Sequence, residues 1–275
     1  MRLLLVLFIL IAITATLHAE FVIEEIKVTI SNIQDDGGAH VHESIKLIIF
    51  GKFDTSVYDN TISSSDLSVW STTTQLDGVK MHVLSANVDV RDFRLRPQPR
   101  TKCNPIQQVC HGELILDYLA YPSYNETTGE PIMGTGIFTI EKYKPRTKRY
   151  TLNPSALSFT TTEDGNILLS EQEYLLLELP SKSVTLDINP QPTDSNIDLP
   201  ANTPDLSWND IVLVKFSLIF DVEDSIDKEV TDFFDNILQQ ISKTIKGPSG
   251  IPLLALITIL IGSYLYIIMA KRRGE

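Results

Sequence analysis

The sequence has no Gly-x-Ser-x-Gly nucleophile elbow, no glycine-rich loop placed to cradle phosphate ahead of a helix, and no His-Glu-x-x-His. Acyl-transfer, nucleotide-dependent and zinc-protease chemistries each need such residues at fixed spacing, so their absence weakens all three. A Ser-x-x-Lys pair occurs at Ser225 and Lys228, but it falls where a helix would start, and capping accounts for the serine. Cysteine is scarce: Cys103 and Cys110 are the 2 cysteines of 275 residues. In an exported domain so close a pair points to a disulfide, which would contribute about 2–3 kcal/mol by the chain-entropy model. His111 follows directly, but the spacing is not that of a zinc knuckle, and further ligands would have to come from afar. Positive charge is also short, with 23 Lys and Arg against 35 Asp and Glu, a net charge of −12. Phosphate contacts dominate nucleic-acid affinity, so nucleic acid is not an expected partner.

What is present begins at the two ends. Arg2 precedes an almost unbroken apolar run, Leu3–Ile13, followed by Thr14, Ala15 and Thr16, with Ala19 as a cleavage point. Charge, apolar core and small-residue exit form a secretory signal over 1–19. Leu17 occupies a position where a small residue is preferred, so cleavage after Thr16 and an uncleaved anchor stay open. Near the other end, 251–270 carries no charge over 20 residues. A helix of that length spans roughly 30 Å, the hydrocarbon thickness of a bilayer. Lys271, Arg272 and Arg273 follow at once, the cationic flank of the cytoplasmic side.

Between the ends the apolar period is two. Ile26, Val28 and Ile30 alternate with polar residues, Asp35-Asp36-Gly37-Gly38 supplies a turn, and Val41, Ile45, Leu47 and Ile49 resume the alternation, which predicts a hairpin. Further runs at 79–84, 87–90, 114–121, 136–143, 167–170, 174–179 and 184–188 read as strands, as does a long one over 211–222. In that last run Val212, Val214, Phe216, Leu218, Phe220 and Val222 would share one face. Short strands with Pro, Gly, Asn and Asp between them predict a mainly β fold, an antiparallel sandwich of one or two modules.

Past the strands the period changes. Ile226, Val230, Phe233, Phe234, Ile237, Leu238, Ile241 and Ile245 recur at steps of three and four, one face of an amphipathic helix. Asp224 or Ser225 caps its start, and Gly247 and Pro248 end it. Its polar face is mixed to acidic, unlike a helix made for anionic lipid. Packing on the domain or on a neighbouring chain is therefore the expected use of its stripe.

The predicted organisation is a signal at 1–19, a β-rich extracytoplasmic domain at 20–189 and a proline-rich loop or linker at 190–204. A long final strand region at 205–223, a juxtamembrane helix at 224–247, a single span at 251–270 and a cytoplasmic tail at 271–275 follow.

Without Arg2, Lys271, Arg272, Arg273 and Glu275, 19 basic residues face 34 acidic ones. Two basic islands stand against that background: Arg91, Arg94, Arg96, Arg100 and Lys102, then Lys142, Lys144, Arg146, Lys148 and Arg149. They are candidates for an anionic glycan, a headgroup or an acidic partner patch; the plainer reading is solvated loop edges paired with the chain's own acids. His40 and His42 share a strand face and are a candidate metal pair. Glu43 shares the phase of Val41, Ile45 and Leu47, so a regular strand points its carboxylate inward, where it needs a partner, Arg or Lys being expected, unless the strand bulges there. Asn125-Glu126-Thr127 is a glycosylation sequon on a turn-like stretch.

The stretch with Asp36-Gly37-Gly38, Val41 and Glu43 resembles the start of the exported domain in some bacterial and archaeal membrane proteins of unknown function. That resemblance implies a β-rich domain outside the membrane and no particular activity. The expected function is a single-pass, membrane-anchored surface module that binds or supports other envelope components without catalysis and without a cofactor. Partners would be the membrane and either another envelope protein or a second copy through 224–246. Two alternatives are an accessory subunit of a membrane complex and a metal-assisted extracytoplasmic hydrolase built on His40, His42 and carboxylates.

Overall fold

The computed structural model describes residues 21–223, apart from Ser85, Glu126, 130–131, Met133, Pro145 and 196–204, together with Asp235 and Lys243. The predicted signal at 1–19, most of the predicted helix at 224–247, and the predicted span at 251–270 and tail at 271–275 lie outside the described residues. No helix among the described residues is long and apolar enough to cross a membrane.

The hairpin predicted at the start is present. Strand β1 (Phe21–Ser31) pairs antiparallel with β2 (Ala39–Phe50), with Ile30 opposite Val41 and Val28 opposite Glu43. Gly37 closes the turn at φ +88°, where a Cβ would stand 3.0 Å from the Phe138 carbonyl, so a residue without a side chain is required. A register shift between Ile23 and Glu25 changes which face β1 buries: Phe21 is buried before it, Ile26, Val28 and Ile30 after it.

Two helices follow β2, where the apolar pattern predicts none. They are α1 (Gly51–Thr61) and α2 (Leu67–Thr74), the latter capped by Asp66 accepting from the Ser68 amide. Each is short and buries a single large aromatic residue, Tyr58 in α1 and Trp70 in α2, whose rings meet edge-on with centroids 5.1 Å apart. One apolar anchor per helix leaves no periodic stripe to read.

The remaining elements are β3 (Asp89–Gln98), β4 (Val109–Tyr121), β5 (Phe138–Lys144), β6 (Thr147–Leu152), a 3-10 turn (Pro154–Ala156), β7 (Thr160–Thr161), β8 (Ile167–Glu178), β9 (Ser183–Asn189), β10 (Asp194–Ser195), β11 (Asp205–Leu213) and β12 (Ser217–Glu223). An eight-stranded sheet runs β10-β11-β8-β1-β2-β4-β3, with β7 beside β8; a four-stranded sheet runs β5-β6-β12-β9. The fold is mainly β. The larger sheet is mixed rather than purely antiparallel, because β1 and β8 run parallel from Ile26–Glu173 to Ile30–Leu177. Buried residues of both sheets form one hydrophobic cluster, in which Tyr150 stacks on Phe220 at 5.0 Å and Phe138 meets Phe220 edge-on at 5.8 Å.

Several predicted strands take other forms. The run 211–222 is not one strand: β11 ends at Leu213, Lys215 adopts φ 51°, and β12 begins at Ser217 in the other sheet. Val212 and Val214 consequently face solvent, while Leu213, Leu218 and Phe220 are buried. Residues 79–84 form a loop with one bridge, Val83 to Leu157. The runs at 167–170 and 174–179 belong to a single strand, β8, whose exposed centre masks its continuity.

Candidate functional site

The polar candidates of β2 separate onto two faces, as strand alternation requires. On the outer face, His42 lies opposite Asp117 of β4, and its Nδ1–H donates to Asp117 Oδ1 at 2.7 Å. The other carboxylate oxygen, Oδ2, accepts from the Arg96 guanidinium of β3. His40 Nε2 stands 3.8 Å from Oδ1, beyond hydrogen-bond range. Partial burial pushes Asp117 up, but the hydrogen bonds from His42 and Arg96 outweigh it and hold the carboxyl below the usual range.

These contacts engage His42 Nδ1 and both Asp117 oxygens, and leave His42 Nε2 without a hydrogen-bond partner among the described residues. A metal could reach His42 only at Nε2, because Nδ1 donates to Asp117 and Arg96 holds the remaining carboxylate oxygen. Among the described residues no three His, Cys, Asp or Glu side chains are grouped to hold a metal ion. Ser44 shares the outer face with His42, yet its hydroxyl donates to Glu113 at 2.5 Å, so a serine–histidine–aspartate relay is not assembled. Farther along β2, Lys46 reaches Glu25 at 2.9 Å.

On the inner face Glu43 is fully buried. Its partners are not Arg or Lys. Oε1 accepts the backbone N–H of His82 at 2.9 Å and the hydroxyl of Tyr118, while Oε2 lies 2.7 Å from His82 Nδ1. Imidazole, phenol and peptide N–H satisfy the carboxyl without taking the fixed charge of a guanidinium out of water, a step whose own desolvation costs several kcal/mol. Tyr118 comes from the buried phase of β4, two residues beyond Leu116. Burial first, then the neighbouring Glu43, pushes its hydroxyl pKa well above the ordinary value.

His82 lies in the loop between α2 and β3, which the segment after β6 straps down: the Ser158 amide donates to His82 O and the Leu84 amide to Ala156 O, both at 2.7 Å. The His82 ring packs against Phe159 at 5.0 Å, and its Nε2 has no hydrogen-bond partner among the described residues. Of the partners not singled out in the sequence, Tyr118 alone carries a signal, its place in an apolar alternation. His82 and Asp117 are distant in sequence from their partners and carry none.

Cys103 and Cys110 form a disulfide across the loop joining β3 to β4. Arg100 holds that loop to α1 through two parallel bonds to Asp59, each 2.9 Å, and the Gly51 amide donates to Gln108 O at 2.9 Å. Asn104 Oδ1 accepts from the Ile106 and Gln107 amides, leaving Ile106 90 % exposed at the tip.

The basic islands lie on different sheets, and most of their cations are paired with the chain's own acids. Arg91 binds Asp89 and covers the Tyr121 ring at 4.7 Å. Arg149 makes a two-pronged pair with Asp221 and lies 3.9 Å over Tyr143, Lys148 reaches Asp35 at 2.9 Å, and Arg146 reaches Glu223 at 3.2 Å. Lys144 stands 5.2 Å from the Tyr143 ring. Arg94, Lys102 and Lys142 are exposed. Asn125 is exposed, and its Oδ1 accepts the Thr127 and Thr128 amides at 2.9 and 3.3 Å in a side-chain-closed turn.

No family profile matches the chain, and no curated protein does. Among solved structures it is similar to native leukotriene A4 hydrolase from Saccharomyces cerevisiae, at 8% identity over 74% of this chain and 29% of that one, with a TM-score of 0.31. It is similar also to Legionella pneumophila aminopeptidase A in complex with aspartic acid, at 7% identity over 75% of this chain and 22% of that one, with a TM-score of 0.26. The chain thus spans under a third of either protein, and likeness at this level carries no statement about activity.

Proposed function

We propose that this protein is a single-pass membrane protein whose β-rich domain acts outside the membrane as a non-enzymatic binding or structural module. In this reading 1–19 directs export, the two sheets are the layers of a sandwich, 224–247 is a juxtamembrane helix, and 251–270 anchors the chain with 271–275 in the cytoplasm. The observation that supports the non-enzymatic part is that the acids and the serine nearest His42 are already engaged, although His42 Nε2 and His40 make no hydrogen bond among the described residues. Asp117 is shared between His42 and Arg96, Ser44 is held by Glu113, and Glu43 is enclosed by His82 and Tyr118. No nucleophile stands free beside the open His42 Nε2 among these residues, since the Ser44 hydroxyl is given to Glu113. The Cys103–Cys110 disulfide favours an oxidising compartment, and the 20 uncharged residues of 251–270 favour lipid.

Fractionation of cells making the full chain tests the placement. The protein is expected in the membrane pellet, resistant to alkaline carbonate and released by detergent, with its central region cut by protease added to intact cells. Recovery in the soluble fraction without detergent would overturn the anchor. Turnover of a peptide or cell-wall substrate by the purified protein, abolished in His42→Ala, would overturn the non-enzymatic reading.

A further inference from the structure

The ladder between β1 and β8 forms only over its second half. From Ile26–Glu173 onward the strands are paired; before that point β1 keeps β2 as its one partner among the described residues, while β8 carries β7 at Leu168 and Ile167. The larger sheet therefore forks. A cleft of about 210 Å³ occupies the fork, floored by Ile23, Ile26 and Leu168 and edged by Asp77, Lys80 and Glu173, with Gln172 beside them. Gly78 closes one side so tightly that a Cβ there would meet the ends of the Ile23 and Ile26 side chains.

Two features set this cleft apart from the rest of the polar surface. Elsewhere most basic residues of the two islands sit in ion pairs, whereas the side chains of Asp77 and Lys80 face one cavity three residues apart without a hydrogen bond or ion pair to any described residue. The same cavity is lined by aliphatic side chains as well, the pairing of a few polar groups with apolar walls that marks small-molecule sites.

We propose that the fork of the sheet binds a small zwitterion with an aliphatic side chain, of the class of the branched apolar α-amino acids. Lys80 takes the carboxylate, Asp77 with Glu173 takes the ammonium, and the side chain lies on Ile23, Ile26 and Leu168. A ligand of one sign would leave one rim charge facing its like; a ligand with both charges on one carbon answers both. The volume limits the occupant to metabolite size, since clefts for drug-sized molecules begin at about 300 Å³. The site is independent of where the chain is anchored, so it stands or falls separately from the membrane reading.

Calorimetric titration of the full-length protein in detergent micelles with L-leucine tests the site. Saturable binding is expected, weakened by about tenfold or more in Lys80→Met and in Asp77→Asn, the loss expected of one charge-assisted contact. Isocaproate, which lacks the ammonium, and isoamylamine, which lacks the carboxylate, should each bind at least about tenfold more weakly than leucine by the same reasoning. Ile106→Ser, at the exposed tip of the loop between β3 and β4, should bind as the parent does, and circular dichroism should show every variant folded. Absence of saturable heat with leucine, unchanged affinity in both rim variants, or equal affinity for a singly charged analogue overturns the proposal.

Discussion

The ring of Tyr58 occupies the space that a side chain on Gly112 would need: a Cβ built there lies 2.5 Å from Cε2 and 2.9 Å from the hydroxyl oxygen. Tyr58 can approach that closely only because β4 is bare at this point. The approach places its hydroxyl between two strands, donating to Gln98 O at 2.7 Å and accepting the Glu113 amide at 3.1 Å. Gly112→Ala is therefore expected to destabilise the domain by about 1–3 kcal/mol, the usual cost of overpacking. Urea unfolding should show a lower midpoint with an unchanged slope. In a Tyr58→Ala background the same change should cost much less, giving a coupling in a double-mutant cycle; additive effects would show that the contact carries no energy.

Glu43 is expected to be the most sensitive polar residue of the core. Replacement by Ala strands the His82 amide, its imidazole and the Tyr118 hydroxyl, all buried. The loss should reach about 3–5 kcal/mol, as for breaking other buried polar pairs. Glu43→Gln keeps the shape and should recover part of it. A loss below about 1 kcal/mol for Glu43→Ala in urea melts, within the range of surface changes, would refute this role.

Two tyrosines make stability fall in alkali. Burial pushes the Tyr58 hydroxyl up to about 12, and burial together with Glu43 pushes Tyr118 well above the ordinary value. A raised pKa favours the protonated form in the folded state. The associated stability is complete below the unfolded value of about 10 and is lost as pH rises from there through the folded values. The near-ultraviolet phenolate signal should show late-titrating tyrosines that merge with the rest on unfolding. Tyr58→Phe should remove one of them and flatten part of the alkaline loss.

The parts of the fold that are legible in sequence are those where one physical signal dominates. β2 alternates through twelve residues, so its inner phase, Glu43 included, follows from the order of its residues alone. The break after Leu213 does not, because Val212, Val214 and Phe216 continue the alternation through a turn containing neither Gly nor Pro; Lys215 supplies the left-handed residue instead. The helices are hidden for a related reason, each having one aromatic anchor among Ser, Thr and Asp. Of the partners of Glu43, His82 lies 39 residues away in a loop, and nothing local to either residue encodes the pairing. The forked ladder of β1 and β8 is likewise a matter of register, which composition does not report.

In acid the outer face responds with the opposite sign. Asp117 is held below its ordinary range, so its contribution is complete above the unfolded value of about 3.9 and is lost as pH falls through the lowered folded value. Its partners His42 and Arg96 are 42% and 60% exposed, and screening at those ends keeps the effect at about 1 kcal/mol or less. Asp117→Asn should lower neutral-pH stability by that amount and reduce the acid slope of the denaturation midpoint. High salt should shrink the difference, and an undiminished difference would show that ion pairing is not its origin.

The hairpin carrying Ile106 is held by two unlike devices, and their removal should separate. The disulfide closes a loop with a sequence separation of 7. Reduction, or paired Cys103→Ser and Cys110→Ser, should cost about 2–3 kcal/mol, mostly by releasing entropy to the unfolded chain. Arg100–Asp59 ties the same loop to α1 at the surface, so Arg100→Gln should cost about 0.2–1 kcal/mol and do so only at low salt. Because Ile106 is 90 % exposed and sits on a loop pinned from both sides, its own replacement by Ser should leave stability within about 0.5 kcal/mol of the parent. Amide hydrogen exchange at residues 104–108 should quicken strongly in the cysteine variant and slightly in Arg100→Gln. The reverse order would mean that the ion pair, rather than the disulfide, fixes the loop.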